Sequence, residues 1–263
     1  MFRGLYTPLI LLLFSLIIRG VSLEFRHQVD SPAWRTVWDW GATLGSFLPA
    51  LLLGVAFANI FMGLPLDENG IFQGNLLTLL NPYGLAGGVL FVLLFAMHGA
   101  LWLTIKSEGD LQRRAAEVAR KLWPVLLVLI GAFVVLTVIY ANRLGNYLRN
   151  PLMLVLLAVP VLALVLLRLQ IGKEDWWFAW GLSAAMIAGL TLFGVVGLYP
   201  ALLPSSISPD YSITISNAAS STLTLSIMLG VTLVFIPIVA GYQFWLYRTF
   251  SHKVTKKELG QDG

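Results

Sequence analysis

Few residues in this sequence are of a type that does chemistry, and they gather at the ends of apolar runs. There are three histidines, His27, His98 and His252, and no cysteine. Thiolate metal sites, iron–sulfur clusters and disulfides are thereby excluded from this chain. His98 alone falls inside an apolar run. Such a ring can ligate haem iron, relay protons, or hydrogen-bond between helices, since a polar group in lipid must face protein or water. The small neighbours Gly99 and Ala100 favour the helix-to-helix bond. Asp39, between Trp38 and Trp40, could take part in proton uptake or cap the first turn of a helix, and the cap is the preferred reading. The two tryptophans fit an interfacial belt. Arg19 and Arg26 are seven apart and share a helical face, while Glu24 points elsewhere. The arginines suit lipid phosphates or an acidic group on a partner subunit. Asn59, Asn75, Asn81 and Gln243 could pack helices or meet a head group. Paired acids deep in an apolar run and phosphate-cradling glycine loops are missing, so these residues by themselves form no complete catalytic constellation.

What must position them is a membrane bundle. Hydrophobic residues make up 58% and charged residues 11%, with a mean hydropathy of +0.82, which no soluble core of this size could bury. A hydrocarbon layer of roughly 30 Å takes about 20 apolar residues as a helix. Seven runs meet that length: Gly4–Leu23, Trp40–Met62, Tyr83–Ile105, Leu122–Tyr140, Leu152–Leu169, Trp177–Tyr199 and Leu223–Phe244. They are continuously apolar rather than alternating, which predicts helices and not a barrel. The fold expected is an all-α polytopic bundle, with residues 1–263 forming one transmembrane domain. Met1–Ile18 is only superficially like a signal peptide, because Arg19 stands where a small-residue cleavage site belongs.

The basic residues orient it. Alternate connections put fourteen lysines and arginines on one side and three (Arg3, Arg143, Arg149) on the other. The richer side is expected in the cytoplasm, with the N-terminus outside and the C-terminus inside. The net charge of +4 is then a topology signal with anionic lipid as its neighbour, and no nucleic acid is expected. The outer stretch 63–82 holds Pro65, Gly70, Gly74 and Asn81-Pro82 and should fold over the surface. The inner stretch 106–121 has acids and bases at helical spacing and reads as an amphipathic extension. A first helix running inward with three residues ahead of it is awkward, and an even number of preceding spans would remove the difficulty.

The segments RGVSLEFR (Arg19–Arg26), WRTVWDWGATLGSFLPALLLGVAFANIFMGLPLD (Trp34–Asp67), LLNPYGLAGG (Leu79–Gly88), HGALWLTIKSEG (His98–Gly109), YPALLPSSI (Tyr199–Ile207) and SNAASSTLTLSIML (Ser216–Leu229) occur in order. Together they resemble subunit II of the cytochrome bd-type quinol oxidases, over essentially the whole chain. The resemblance implies a non-haem membrane subunit paired with subunit I, which carries haems b and d and the quinol site. The pair reduces dioxygen with electrons from quinol in the inner (plasma) membrane of a bacterium or archaeon. It also implies that subunit II can hold a quinone and contribute oxygen or proton access. Family members begin with two further helices bearing acidic motifs that do not occur after Met1, so no proton-path residue is carried over. The expectation is an N-terminally shortened subunit, the missing helices being supplied as a separate peptide or small accessory subunits if at all. Arg19, Glu24, Arg26, Trp38, Asp39, Trp40, Asn81 and His98 are expected as interface or structural positions, none of them catalytic. Against this stand a transporter, for which Asn59, Thr137, Ser183 and Thr191 would be the polar groups available, and a fragment that never assembles.

Overall fold

The computed structural model describes residues 6–141 and 152–253, all of them helices and short connections apart from one two-stranded ribbon. The helices are α1 (Tyr6–Phe25), α2 (Pro32–Met62), the single turn α3 (Leu76–Leu79), α4 (Pro82–Lys106), α5 (Gly109–Tyr140), α6 (Leu152–Lys173), α7 (Trp176–Leu198) and α8 (Thr222–Thr249). Strands β1 (Ala201–Leu203) and β2 (Ile213–Thr214) pair antiparallel between α7 and α8. Seven of these helices are long and apolar enough to cross a membrane, and each coincides, within a few residues at its ends, with one of the seven runs read from the sequence. Arg3, Arg143, Arg149, Lys256 and Lys257 of the charge count lie outside the described residues.

Two helices start earlier than the apolar runs suggest. α2 begins at Pro32, whose missing N–H costs nothing at a first helical position, and not at Trp40. α5 begins at Gly109, so the stretch expected as an amphipathic extension is its first three turns. At 32 residues and 1.5 Å per residue it is about 48 Å long, more than the layer needs. The protruding turns are anchored: Ala115, Ala116 and Ala119 are buried, and the Gln112 amide donates to the Thr104 carbonyl at 3.0 Å.

Between helices in lipid there is little hydrophobic drive, so close packing and hydrogen bonds hold the bundle. α2 crosses α4 backbone to backbone. A Cβ on Gly54 would collide with the Gly87 carbonyl, and one on Gly87 would sit 2.6 Å from Ala58 Cβ. α1 lies against α2 in the same way, with a Cβ on Gly45 only 2.7 Å from the Ser15 carbonyl oxygen. The largest buried cluster joins α4, α5, α6 and α7 through Leu94, Met97, Leu101, Leu126, Leu167 and Met186.

At the other end two connections fold together into a cap. Leu64 N–H donates to Pro204 O at 2.9 Å, Ser206 N–H to Leu64 O at 2.8 Å, and Ser205 Oγ to Leu66 O at 2.8 Å. Leu64, Leu66, Phe72 and Ile213 close over this seam. The stretch 63–82 therefore folds back on the bundle and on its sister loop, as its turn residues suggested.

Candidate functional site

The sequence candidates fall into three places. The first is the hairpin between α1 and α2, on the side where basic residues gather. Arg26, just past α1, donates through Nε to Asp39 Oδ1 at 2.6 Å and through a terminal nitrogen to Oδ2 at 3.3 Å. This fork on a carboxylate raises the arginine's pKa above its ordinary value, the hydrogen bond to Asp39 being the main cause. Two readings are corrected here. Asp39 is eight residues into the sequence of α2 and caps nothing: its carboxylate holds Arg26. Arg26 in turn meets an acid of its own chain, not one of a partner. Because α2 starts at Pro32, the helix carries Asp39 round to face the end of α1. Trp38 packs between Phe25 and Trp34, with ring centroids 5.5 Å from each, and the Trp34 indole donates to Phe25 O at 2.7 Å. Trp40 points outward, 62% exposed. Arg19 and Glu24 are exposed and join no ion pair among the described residues.

The second place is the junction of α2, α3 and α4. Asn81 caps α4, its Oδ1 accepting from Gly84 N at 2.8 Å, and its Nδ2 donates to Asn59 Oδ1 at 2.7 Å. Asn59 is buried and donates to Val55 O and Leu79 O, each at 2.8 Å. Every polar atom of the two side chains that is buried finds a partner, which is what a polar pair inside a membrane requires.

His98 is the third. Its Nδ1 lies 2.7 Å from Ser183 Oγ on α7, and its ring stacks on Trp180 at 5.0 Å. Ser183 Oγ also reaches the Trp180 carbonyl at 2.7 Å. With the hydroxyl proton given to that carbonyl, Ser183 accepts from His98, which assigns the Nδ1–H tautomer. Trp102 and Trp177 extend the aromatic group around Trp180. The imidazole is wedged between α4 and α7, and no other histidine stands at its depth among the described residues, so these residues form no bis-histidine haem site. The described residues also contain no group of three His, Asp or Glu placed to hold a metal ion.

A cavity of about 100 Å³, almost wholly apolar, lies between α2, α4, α5, α6 and α7, with Phe57, Phe91, Leu94, Phe133, Leu157 and Phe193 in its wall. That is well below the roughly 300 Å³ at which ligand pockets begin, so it suits a small apolar molecule or a segment of a chain. Phenylalanines recur on several helices, but which of them converge depends on helix crossings.

The model of the family "cytochrome bd terminal oxidase subunit II" matches residues 1–250. The chain belongs to that family. It is 34% identical over 261 residues to cytochrome bd ubiquinol oxidase subunit 2 of Bacillus subtilis (strain 168), covering 98% of this chain and 76% of that one. It is 32% identical over 291 residues to the bd-I ubiquinol oxidase subunit 2 of Escherichia coli (strain K12), with the same shares covered. A probable cytochrome oxidase subunit 2 of Haemophilus influenzae is 33% identical, over 94% of this chain and 73% of that protein. As a subunit II family member with seven spanning-length helices, the chain is a multi-pass membrane protein.

Proposed function

We propose that this chain is the non-haem subunit of a quinol:dioxygen oxidoreductase, supporting in the plasma membrane a subunit I that carries the haems. The observation that carries the proposal is the family match over residues 1–250. Ubiquinol, the substrate named for the Bacillus and Escherichia relatives, is the electron donor expected. The haems supply electron transfer and oxygen reduction when present in the partner. What this chain's residues do is mechanical. Gly54 and Gly87 let α2 and α4 touch, Asn59 and Asn81 lock the outer end of that crossing, and Arg26 with Asp39 closes the hairpin at the other end. The basic loops lie in the cytoplasm and the folded cap outside, following the lysine and arginine bias. The apolar cavity gives room for dioxygen or part of the tail of a bound quinone. The lipid-like surface of α8, exposed along nearly its whole length, is where subunit I docks.

The test is purification of the tagged chain from native membranes in mild detergent, with a reduced-minus-oxidised spectrum and quinol-dependent oxygen uptake. Haem b and d bands with oxygen uptake are expected. His98→Leu is expected to leave both bands qualitatively intact. Loss of one haem species from an assembled complex would assign His98 to a haem instead. A haem-free chain with no partner would contradict the proposal.

A further inference from the structure

Two arginine–tryptophan stacks stand at the basic end of α5, α6 and α7, and they differ in one respect. Arg120 lies over the Trp176 ring at 5.8 Å and pairs with Glu174 at 2.5 Å, so the protein supplies its counter-ion. Arg168 lies over the Trp123 ring at the same 5.8 Å. It joins no ion pair among the described residues. The next acids along the chain are held elsewhere, Glu174 by Arg120 and Asp175 by the Phe178 amide at the start of α7.

Arg168 is also placed deep. It precedes the end of α6 at Lys173 by five residues, about 7 Å along the axis, and follows Leu166 and Leu167 in an apolar helix. Its stacking partner is fixed: the Trp123 indole donates to Leu164 O at 2.8 Å, one turn below Arg168. One turn above, Gly172 leaves open space where a side chain would stand. Beside and below the arginine, Leu169, Val165 and Leu162 are 54%, 52% and 59% exposed, an apolar surface running about 9 Å down the helix against which the upper part of an acyl chain can lie. An unpaired cation in the interfacial layer needs an anion, and the anion at that depth with hydrocarbon beneath it is a lipid phosphate.

We infer that Arg168, held on Trp123, is the headgroup site for an anionic phospholipid whose chains lie along the exposed face of α6. Arg120, already neutralised by Glu174, takes no part in binding charge.

The test uses the chain purified with its accompanying subunits, delipidated in mild detergent and titrated with phosphatidylglycerol or phosphatidylcholine under native mass spectrometry. The unsubstituted protein should retain phosphatidylglycerol in preference to phosphatidylcholine. Arg168→Gln should cut phosphatidylglycerol retention about fivefold, the worth of one basic residue at a membrane surface. Arg168→Lys should keep most of it, and Arg248→Gln, at the end of α8, should change nothing. Excess inorganic phosphate should leave the bound lipid in place. Equal retention by Arg168→Gln and the unsubstituted protein would overturn the site, and displacement by phosphate would make it one for a free anion. Release of a partner subunit by Arg168→Gln with lipid unchanged would make the counter-ion a protein carboxylate, against the inference. If Arg168→Gln does not fold, the selectivity of the unsubstituted protein decides, and its absence overturns the inference as well.

Discussion

α4 and α8 are both apolar enough to cross a membrane, yet 44% of the α4 span is buried within the protein and none of the α8 span is. Apolar content reports the solvent a helix lives in, and says nothing about which neighbour it touches. Small and polar residues separate the two. α4 brings Gly84, Gly87 and Gly88 against α2, is capped by Asn81, and bonds through His98 to Ser183. On α8, Gly230 and Gly241 face open space, and the helix is held by its lower end. There Lys106 Nζ donates to Phe250 O at 2.7 Å and Trp102 meets Tyr247 edge-on. α4 is the axle of the chain, and the span of α8 is left uncovered by the rest of it.

The sharpest break of this contrast is Gly87→Leu. The added side chain would meet Ala58 and the Gly54 carbonyl, and overpacking costs about 1–3 kcal/mol even where side chains can yield. Here part of the obstacle is backbone, so loss of the folded chain in a thermal melt in detergent is expected. Gly230→Leu should leave the melt unchanged. Asn59→Leu comes next. It would strand the Leu79 carbonyl and leave the Asn81 amide only its bond to Thr78 O, costing about 1–3 kcal/mol, whereas Ser226→Ala on α8 should cost nothing measurable. The smallest effect is in the cap. Asp67 accepts from the backbone of Ile71 and Asn69 and from Gln73, and the Ile71 amide chiefly holds its pKa below the ordinary value. A depressed carboxylate stabilises the folded loop above its unfolded pKa of about 3.9, and the stabilisation fades as the pH falls through the lower folded value. Proteolysis of the stretch 63–82 should therefore rise only in acid, and Asp67→Asn should flatten that pH dependence.

The same contrast shows what the sequence reveals. Continuous apolar runs locate all seven spans, because lipid demands helices of that length whatever they pack against. Turn residues, Pro65, Gly70, Gly74 and Asn81-Pro82, locate the cap, but that Asn75 and Asn81 would each start a helix was not read from them. Pairings across the chain were out of reach. Arg26 and Asp39 are separated by a turn whose length decides the register, and starting α2 at Trp40 turns Asp39 into a cap it is not. Asn59 with Asn81 and His98 with Ser183 need the crossings of α2, α4 and α7, which small residues permit but do not announce. The cavity is a product of five helices and has no local signature.

The absence of cysteine from the chain allows the most direct test of the contrast. Single cysteines would be placed along α8 at Leu233, Ile238 and Phe244, and in α4 at Leu94 and Leu101, in membranes containing the whole oxidase. Cross-linking to the haem-bearing subunit is expected along one face of α8 and at neither α4 position. Cross-links from α4, or α8 positions reacting only with lipid-borne probes on every face, would contradict the account of α8 as the docking helix.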